Sequence, residues 1–258
     1  MTPHRSAICK GCWQQMHVPI PLRGVLSVPF RVFGIRPSRM NPNTCTICEL
    51  MFTRVMKARK VTIDATILFA DLRSYTSLSQ SLSAAEMGGL LDAFYDDCAN
   101  AIWQFDGLLN KTIGDAVMAV FNFPIRQEDH ARQAVLAARE IQRAFHARRA
   151  EFAGSSAASS DEGAAAEFGV GVGIHTGELS FGEFGRSHRD LTAIGTVVNT
   201  ASRAQSAADA GQILVTQAVY DRARSELSDS TAKDYALKGF DAPVRLYAAQ
   251  EALAFANE

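Results

Sequence analysis

Acidic residues are nearly missing from the first quarter of this sequence. Up to Lys60 it holds 10 lysines and arginines and a single acid, Glu49; beyond that point the balance reverses to 16 basic and 26 acidic residues. The net charge of −1 therefore hides a composition break. We read a small domain over 1–60, a main domain over 61–250 and a tail over 251–258. A basic segment of this kind suits nucleic acid, anionic lipid or a solvated face, and no nucleic-acid partner is expected. Runs of about 18 apolar residues are also missing, so no transmembrane segment is expected. No apolar leader precedes Cys9, since Thr2 to Ala7 is polar, and a cytoplasmic location follows as the expectation. The glycine-rich stretch Phe168-Gly-Val-Gly-Val-Gly-Ile174 is not followed by a helix, which excludes a dinucleotide-binding loop. It reads as a strand with one bare face, open to close approach by another element.

Cysteine is scarce but patterned. Four of five fall as Cys9-Lys-Gly-Cys12 and Cys45-Thr-Ile-Cys48, and Cys98 stands apart. In a reducing compartment two Cys-x-x-Cys pairs read as metal ligands before disulfides, because the two-residue spacer lets both sulfurs of a pair reach one tetrahedral ion. A zinc ribbon or a rubredoxin-like iron site fits the spacing; a redox-labile pair is the alternative. Seven prolines and glycines from Pro19 to Pro42 rule out a long helix between the pairs. Val25, Leu26, Phe30, Val32 and Phe33 there form either a small core or a docking surface. His4 and His17 read as surface, and Glu49 to Lys60 as a short connecting helix.

In the main domain, Thr66 to Ala70 is a short apolar run too short for a helix, hence a buried strand, with Asp71 where it ends. Ser81 or Ser83 caps a helix ending near Phe105, and Gly107 stops it. Leu108–Ile113 and Ala116–Phe121 flank Gly114-Asp115 as a hairpin. A second helix runs from about Gln127 to Ala150, with an apolar stripe from Ala131 to Phe145 at helical spacing. A polar loop follows, then strands near 168–174 and 190–194. A helix over 197–208 sets Asn199 and Arg203 four apart on one face. A strand over 211–215, a short helix over 218–226 and a closing hairpin over 235–249 complete the pattern. Cys98 falls on an apolar helix stripe, and His175 at a strand end.

Five motifs occur in register: Phe69-Ala-Asp-Leu-Arg73, Lys111-Thr-Ile-Gly-Asp115, Gly173-Ile-His-Thr-Gly177, Ile194-Gly-Thr-Val-Val-Asn-Thr-Ala-Ser-Arg203, and Leu237-Lys-Gly-Phe240 with Val244-Arg-Leu-Tyr247. Together they resemble the catalytic domain of class III nucleotidyl cyclases. The resemblance implies an α+β, ferredoxin-like core with a mostly antiparallel sheet, acting as a homodimer with its sites at the subunit interface. It implies conversion of a nucleoside triphosphate to a 3′,5′-cyclic monophosphate and pyrophosphate. By position, Asp71, Asp115 and the Leu72 carbonyl match the holders of two Mg²⁺ or Mn²⁺ ions. Lys111 and Thr192 match the base-reading pair, and Asn199 and Arg203 the pair that orients the ribose and stabilises the phosphorus. Backbone N–H groups of Arg73, Ser74, Tyr75 and Thr76 would cradle the outer phosphates.

The chemistry agrees with that assignment. Hard divalent ions take carboxylate oxygens. An arginine on the α-phosphate meets charge that develops only in the transition state, an effect of about 10²–10³ in rate. Lysine can donate to adenine N1, whereas guanine calls for an acceptor at that position, so ATP is the expected substrate. The expectation is an adenylate cyclase regulated through its N-terminal metal or redox module. The alternatives are a nucleotide-binding regulatory protein with little turnover, or a guanylate cyclase. Three positions depart from the family pattern: Ser74 and Thr196, where relatives commonly carry Gly and Asp, and Phe240, where a lysine is usual. Arg186 or Arg189 are candidates to replace that lysine.

Overall fold

The computed structural model describes residues 5–75, 83–155, 168–185, 187 and 190–249. Thr76, Ser81, Arg186, Arg189, His4 and the tail 251–258 lie outside the described residues. Near the N-terminus each cysteine pair opens a helix: Cys9 caps α1 (Lys10–Met16) and Cys45 caps α3 (Thr46–Ala58), with α2 (Val28–Val32) between them. The connecting helix is thus α3, and it starts inside the second pair.

The elements that follow are β1 (Val61–Arg73), α4 (Ala84–Gln104), β2 (Leu108–Ile113), β3 (Ala116–Phe121), α5 (His130–Ser155), β4 (Gly169–Phe184), β5 (Asp190–Ile194), α6 (Thr196–Ala207), β6 (Ile213–Thr216), α7 (Gln217–Arg222), α8 (Arg224–Leu227), β7 (Ala232–Tyr235) and β8 (Val244–Ala248). The strands form one sheet in the order β2-β3-β1-β4-β6-β8-β7, with β5 paired to β4. All neighbours are antiparallel except β4 and β6. This is the α+β class the sequence implies.

β1 is central, and its alternation sorts the core into two layers. Leu68, Ala70 and Leu72 pack under α4 and α5 with Phe94, Ile102, Val135 and Ile141. Ala65, Ile67 and Phe69 face the other way, toward Phe52 and Met56 of α3, Phe181, and Val197 and Ala201 of α6. The next residue of that second set is Asp71, so period two delivers the carboxylate to the α6 side. Ser83 caps α4 in a capping box with Glu86. Cys98 is fully buried on that helix, as its stripe predicts.

Several boundaries differ from the sequence reading. β1 runs eight residues longer than the apolar stretch 66–70, because its ladder with β4 continues through polar positions from Val61 opposite Phe181 to Arg73 opposite Gly169. Asp71 therefore lies within the strand rather than beyond it. β4 continues past Ile174 to Phe184, which puts His175 in mid-strand, its Nδ1 2.7 Å from Thr216 Oγ1. α5 begins at His130, because Gln127 N–H is taken by the Asn122 side chain at 2.7 Å in the preceding turn. The helix expected over 218–226 breaks at Ala223 into α7 and α8.

The bare face of β4 has a specific occupant. A Cβ at Gly173 would stand 2.0 Å from Gln205 N and 2.5 Å from Ala201 O, so α6 lies directly on the strand backbone.

Candidate active site and cysteine centre

Two carboxylates meet at neighbouring strand ends. Asp71 pairs in register with Ala116, and Leu72 N–H donates to Asp115 O at 3.2 Å. Asp115 occupies the two-residue turn between β2 and β3, whose first residue, Gly114, has φ +61°. The Tyr95 hydroxyl donates to Gly114 O and steadies the turn. Burial pushes the Asp71 carboxyl above the usual range, and the Asp115 charge adds to it. Gln205 Nε2 donates to Asp71 Oδ2 at 2.8 Å, and Arg73 Nη1 stands 3.5 Å from the same oxygen.

The donor set fits a hard divalent cation: two carboxylates and a backbone carbonyl, all oxygen, crowded enough to disfavour their joint charge. Arg73 supplies part of the missing positive charge. Its side chain folds back over Gly171 and donates to Gln205 O, and its buried Nε has no partner among the described residues. The residue that the sequence assigns to a phosphate cradle through its N–H thus also reaches the Asp71 carboxylate. Ser74 follows with φ +60°, a left-handed conformation that glycine would adopt without strain. Tyr75 is partly buried against the α4–α5 layer.

Lys111 and Thr192 come together through contacts between β2 and β5. Lys111 Nζ forms an ion pair with Asp190. Asn110 Nδ2 donates to Leu191 O at 3.0 Å, and Thr192 Oγ1 donates to Asn110 Oδ1 at 3.4 Å. Asp190 and Asn110 lie outside the sequence motifs. Strand alternation puts Asp190 on the face of Thr192, and that signal was available.

Asn199 and Arg203 lie on α6, exposed and partly exposed, and neither side chain has a partner among the described residues. Helical geometry turns about 100° per residue, so Arg203 and Gln205 point about 200° apart. Gln205 is buried against Asp71 of its own chain. Asn199 and Arg203 therefore face away from that carboxylate.

The four cysteines of the paired motifs converge. All four sulfurs lie within 4.8 Å of one another, with Cys9–Cys48 and Cys12–Cys45 at 3.6 Å and Cys12–Cys48 at 3.3 Å. Four thiolates bound about 2.3 Å from one zinc ion would stand about 3.8 Å apart. Backbone N–H groups of Cys12 and Cys45 donate to Cys9 Sγ at 3.4 and 3.2 Å. Gly11 leaves room for the cluster, since a Cβ there would stand 2.9 Å from Cys48 Sγ. Burial pushes Cys12 up to about 12, whereas hydrogen bonds from its neighbours hold Cys45 well below the usual thiol range. The four converging sulfurs suit one cation.

This segment is fastened to the chain just before β2. Asn41 Nδ2 donates to Gly107 O at 2.9 Å, Asn43 Nδ2 to Trp103 O at 2.9 Å and to Asp106 Oδ1 at 2.7 Å. Trp103 Nε1 donates to Met40 O at 2.8 Å, and Lys10 pairs with Asp106. β2, which carries Asn110 and Lys111, starts one residue after Gly107.

A sheet with paired carboxylates at its strand ends and a helix laid across a glycine-rich strand defines the nucleotide cyclase architecture. Residues 58–250 match the adenylate and guanylate cyclase catalytic domain, and the chain belongs to this family, the class III nucleotidyl cyclases. An adenylate cyclase of Anabaena cylindrica is 31% identical over 188 residues, which cover 70% of this chain and 36% of that protein. The crystal structure of the adenylyl cyclase CyaB from P. aeruginosa superposes with a TM-score of 0.66 at 28% identity, over 75% of this chain and 96% of that one. The guanylyl cyclase Cya2 superposes with a TM-score of 0.66 at 25% identity, over 76% and 96% of the two chains. The chain spans about a third or less of the length of the curated adenylate cyclases it matches. No described helix is long and apolar enough to cross a membrane.

Proposed function

We propose that this chain is an adenylate cyclase that forms 3′,5′-cyclic AMP and pyrophosphate from ATP at sites shared across a homodimer. One observation carries the reading: α6 turns Gln205 toward its own Asp71 and leaves Asn199 and Arg203 pointing away, without partners among the described residues. A two-fold pairing would bring each Arg203 to the other chain's carboxylates.

In this reading the 3′-hydroxyl gives up its proton to solvent and its oxygen attacks the α-phosphorus, the ester bond of the ring forms, and the bond to pyrophosphate breaks. Asp71, Asp115 and the Leu72 carbonyl would hold two Mg²⁺ or Mn²⁺ ions, which supply a lowered pKa for that hydroxyl and charge on the triphosphate. Asn199 orients the ribose, and Arg203 meets the charge that builds on the α-phosphate. The backbone from Arg73 to Thr76 binds the outer phosphates. Lys111 donates to adenine N1, and Thr192 contacts the exocyclic amine. Cys9, Cys12, Cys45 and Cys48 hold one Zn²⁺ or Fe ion. The bonds from Asn41 and Asn43 to the chain before β2 support a role for that centre in regulating substrate binding, in a protein of the cytoplasm.

The purified protein, given ATP and Mn²⁺, should accumulate cyclic AMP. No product under conditions where a related cyclase turns over would defeat the proposal. A second reading, guanylate cyclase, is favoured by the Asp190 carboxylate beside Lys111, an acceptor that guanine could use. Side-by-side kinetics with GTP and ATP separate the two, and Lys111→Glu should lower kcat/KM for ATP by about a hundredfold or more.

A further inference from the structure

Residues 23–34 form a loop with no part in either centre. Its ends are pinned at the cysteine cluster, where Leu22 is buried and Ile35 packs beside it. The Thr46 hydroxyl closes the neck, donating to Gly34 O at 3.0 Å and accepting from Arg36 N–H at 3.4 Å. Gly24 and Gly34, with φ of +78° and +79°, turn the chain out and back. Inside the loop, Ser27 Oγ donates to Gly24 O at 2.7 Å and Ile35 N–H to Phe30 O at 2.9 Å. A 3-10 turn over Val25–Ser27 and α2, which follows it, pack chiefly on each other.

The side chains of this loop are inverted. Ser27 is buried, while Val25, Leu26, Val32 and Phe33 are 87%, 78%, 79% and 83% exposed. They are the most exposed large apolar residues among those described. Large apolar side chains exposed together in one short loop mark an interaction site.

Charge decides what it meets. Arg31, Arg36 and Arg39 are exposed around the loop, and Glu49 is the single acid of the first 60 residues. Arg5, Arg23 and Arg31 stand close enough for their charges to oppose one another, and burial with that repulsion lowers the Arg23 pKa. None of the three has a carboxylate partner among the described residues: Arg5 donates to Asn100 Oδ1, Arg23 to the carbonyls of Ser6 and Pro42, and Arg31 to that of Leu22.

We propose that the 23–34 loop is an interfacial anchor, with its apolar tip seated in a bilayer surface of anionic lipid and its arginines on the headgroup phosphates. Shallow apolar burial and basic charge at headgroup level act together in such binding, and neither alone holds a protein firmly. The bilayer fits both features of the loop, and nothing in the fold of the catalytic sheet depends on it.

The test is co-sedimentation of the full chain, metal bound, with vesicles of phosphatidylcholine and phosphatidylglycerol in equal parts, and with phosphatidylcholine alone. The protein should pellet with the anionic vesicles only, and less so at high salt. Leu26→Asp with Phe33→Asp should weaken vesicle binding by about tenfold or more with metal content unchanged, and Arg31→Glu with Arg36→Glu should act in the same direction. Failure of the wild type to pellet, or full binding by the apolar variant, overturns the proposal. So does a change of oligomeric state in that variant without vesicles, which would make the loop a contact between copies. Retention on nucleic acid without vesicle binding overturns it as well.

Discussion

Gln205 Nε2 donates to Asp71 Oδ2 at 2.8 Å across 134 positions of sequence. The bond ties the helix that carries Asn199 and Arg203 to the carboxylate of the same chain. It also sets the direction of α6, because a helix held by Gln205 on one side must present Arg203 on the other.

Gln205 is thereby a positioning residue. Gln205→Ala should leave Asp71 less fixed and raise the Mn²⁺ concentration needed for half-maximal activity by about 10–100-fold, the usual cost of losing a partner to a metal ligand. At saturating Mn²⁺, KM for ATP should stay near its original value. Metal titration of activity at fixed ATP checks this, and an unchanged titration would leave Gln205 a packing residue.

Asp71→Ala and Arg203→Ala chains should each be inactive and should recover activity on mixing. Random exchange of equal amounts puts half the chains' pairings into mixed dimers with one intact site of two, giving about a quarter of wild-type activity. Cyclic AMP production by the mixture is the measurement. No recovery, with exchange demonstrated by labelled subunits, would refute a shared site.

Gly173→Ala tests the seat of α6. The added Cβ meets backbone atoms at 2.0 and 2.5 Å, which no side-chain movement relieves. The substitution should cost about 1–3 kcal/mol by denaturant unfolding, the range for overpacking, and should impair activity by displacing Asn199 and Arg203.

His175 gives a pH dependence. Burial, with the Arg222 charge, lowers its pKa to about 4 from the usual 6.5. The unfolded chain therefore binds more protons between those values, so stability is full above about 6.5 and is lost as pH falls through the window toward 4. The loss should be on the order of 3 kcal/mol. His175→Gln should flatten that part of the stability curve, read by denaturant midpoints across the acid range.

Cys45→Ser should remove the metal from the cysteine centre, as seen by elemental analysis. The module then loses its hold on the turn before β2. KM for ATP should rise by about 2–30-fold, the scale of coupling between such packed elements, with a smaller change in kcat. Variation at the cysteine centre avoids chelators, which would also strip any ions that Asp71 and Asp115 hold.

Much was legible along the chain because its signals are local. Strand and helix order follow from apolar periodicity and turn residues, and the cysteine pairs from their two-residue spacing. Asn199 and Arg203 share a face at spacing four, and the glycine-rich strand announced a close neighbour. Boundaries failed where pairing overrode composition. β1 and β4 extend through Thr62, Asp64, His175 and Ser180 because the ladder between them satisfies their backbone whatever the side chain.

The sequence by itself determined the family motifs, the order of the elements and which side chains carry the proposed chemistry. Tertiary structure alone decided that Gln205 grips Asp71, that Asp190 holds Lys111, that Arg73 folds back over Gly171, and that the 23–34 loop stands outside the core. These contacts join residues 79 to 134 positions apart, or depend on what a segment fails to touch. Neither is written in local periodicity, since both follow from register and from the packing of α6 on a strand without side chains.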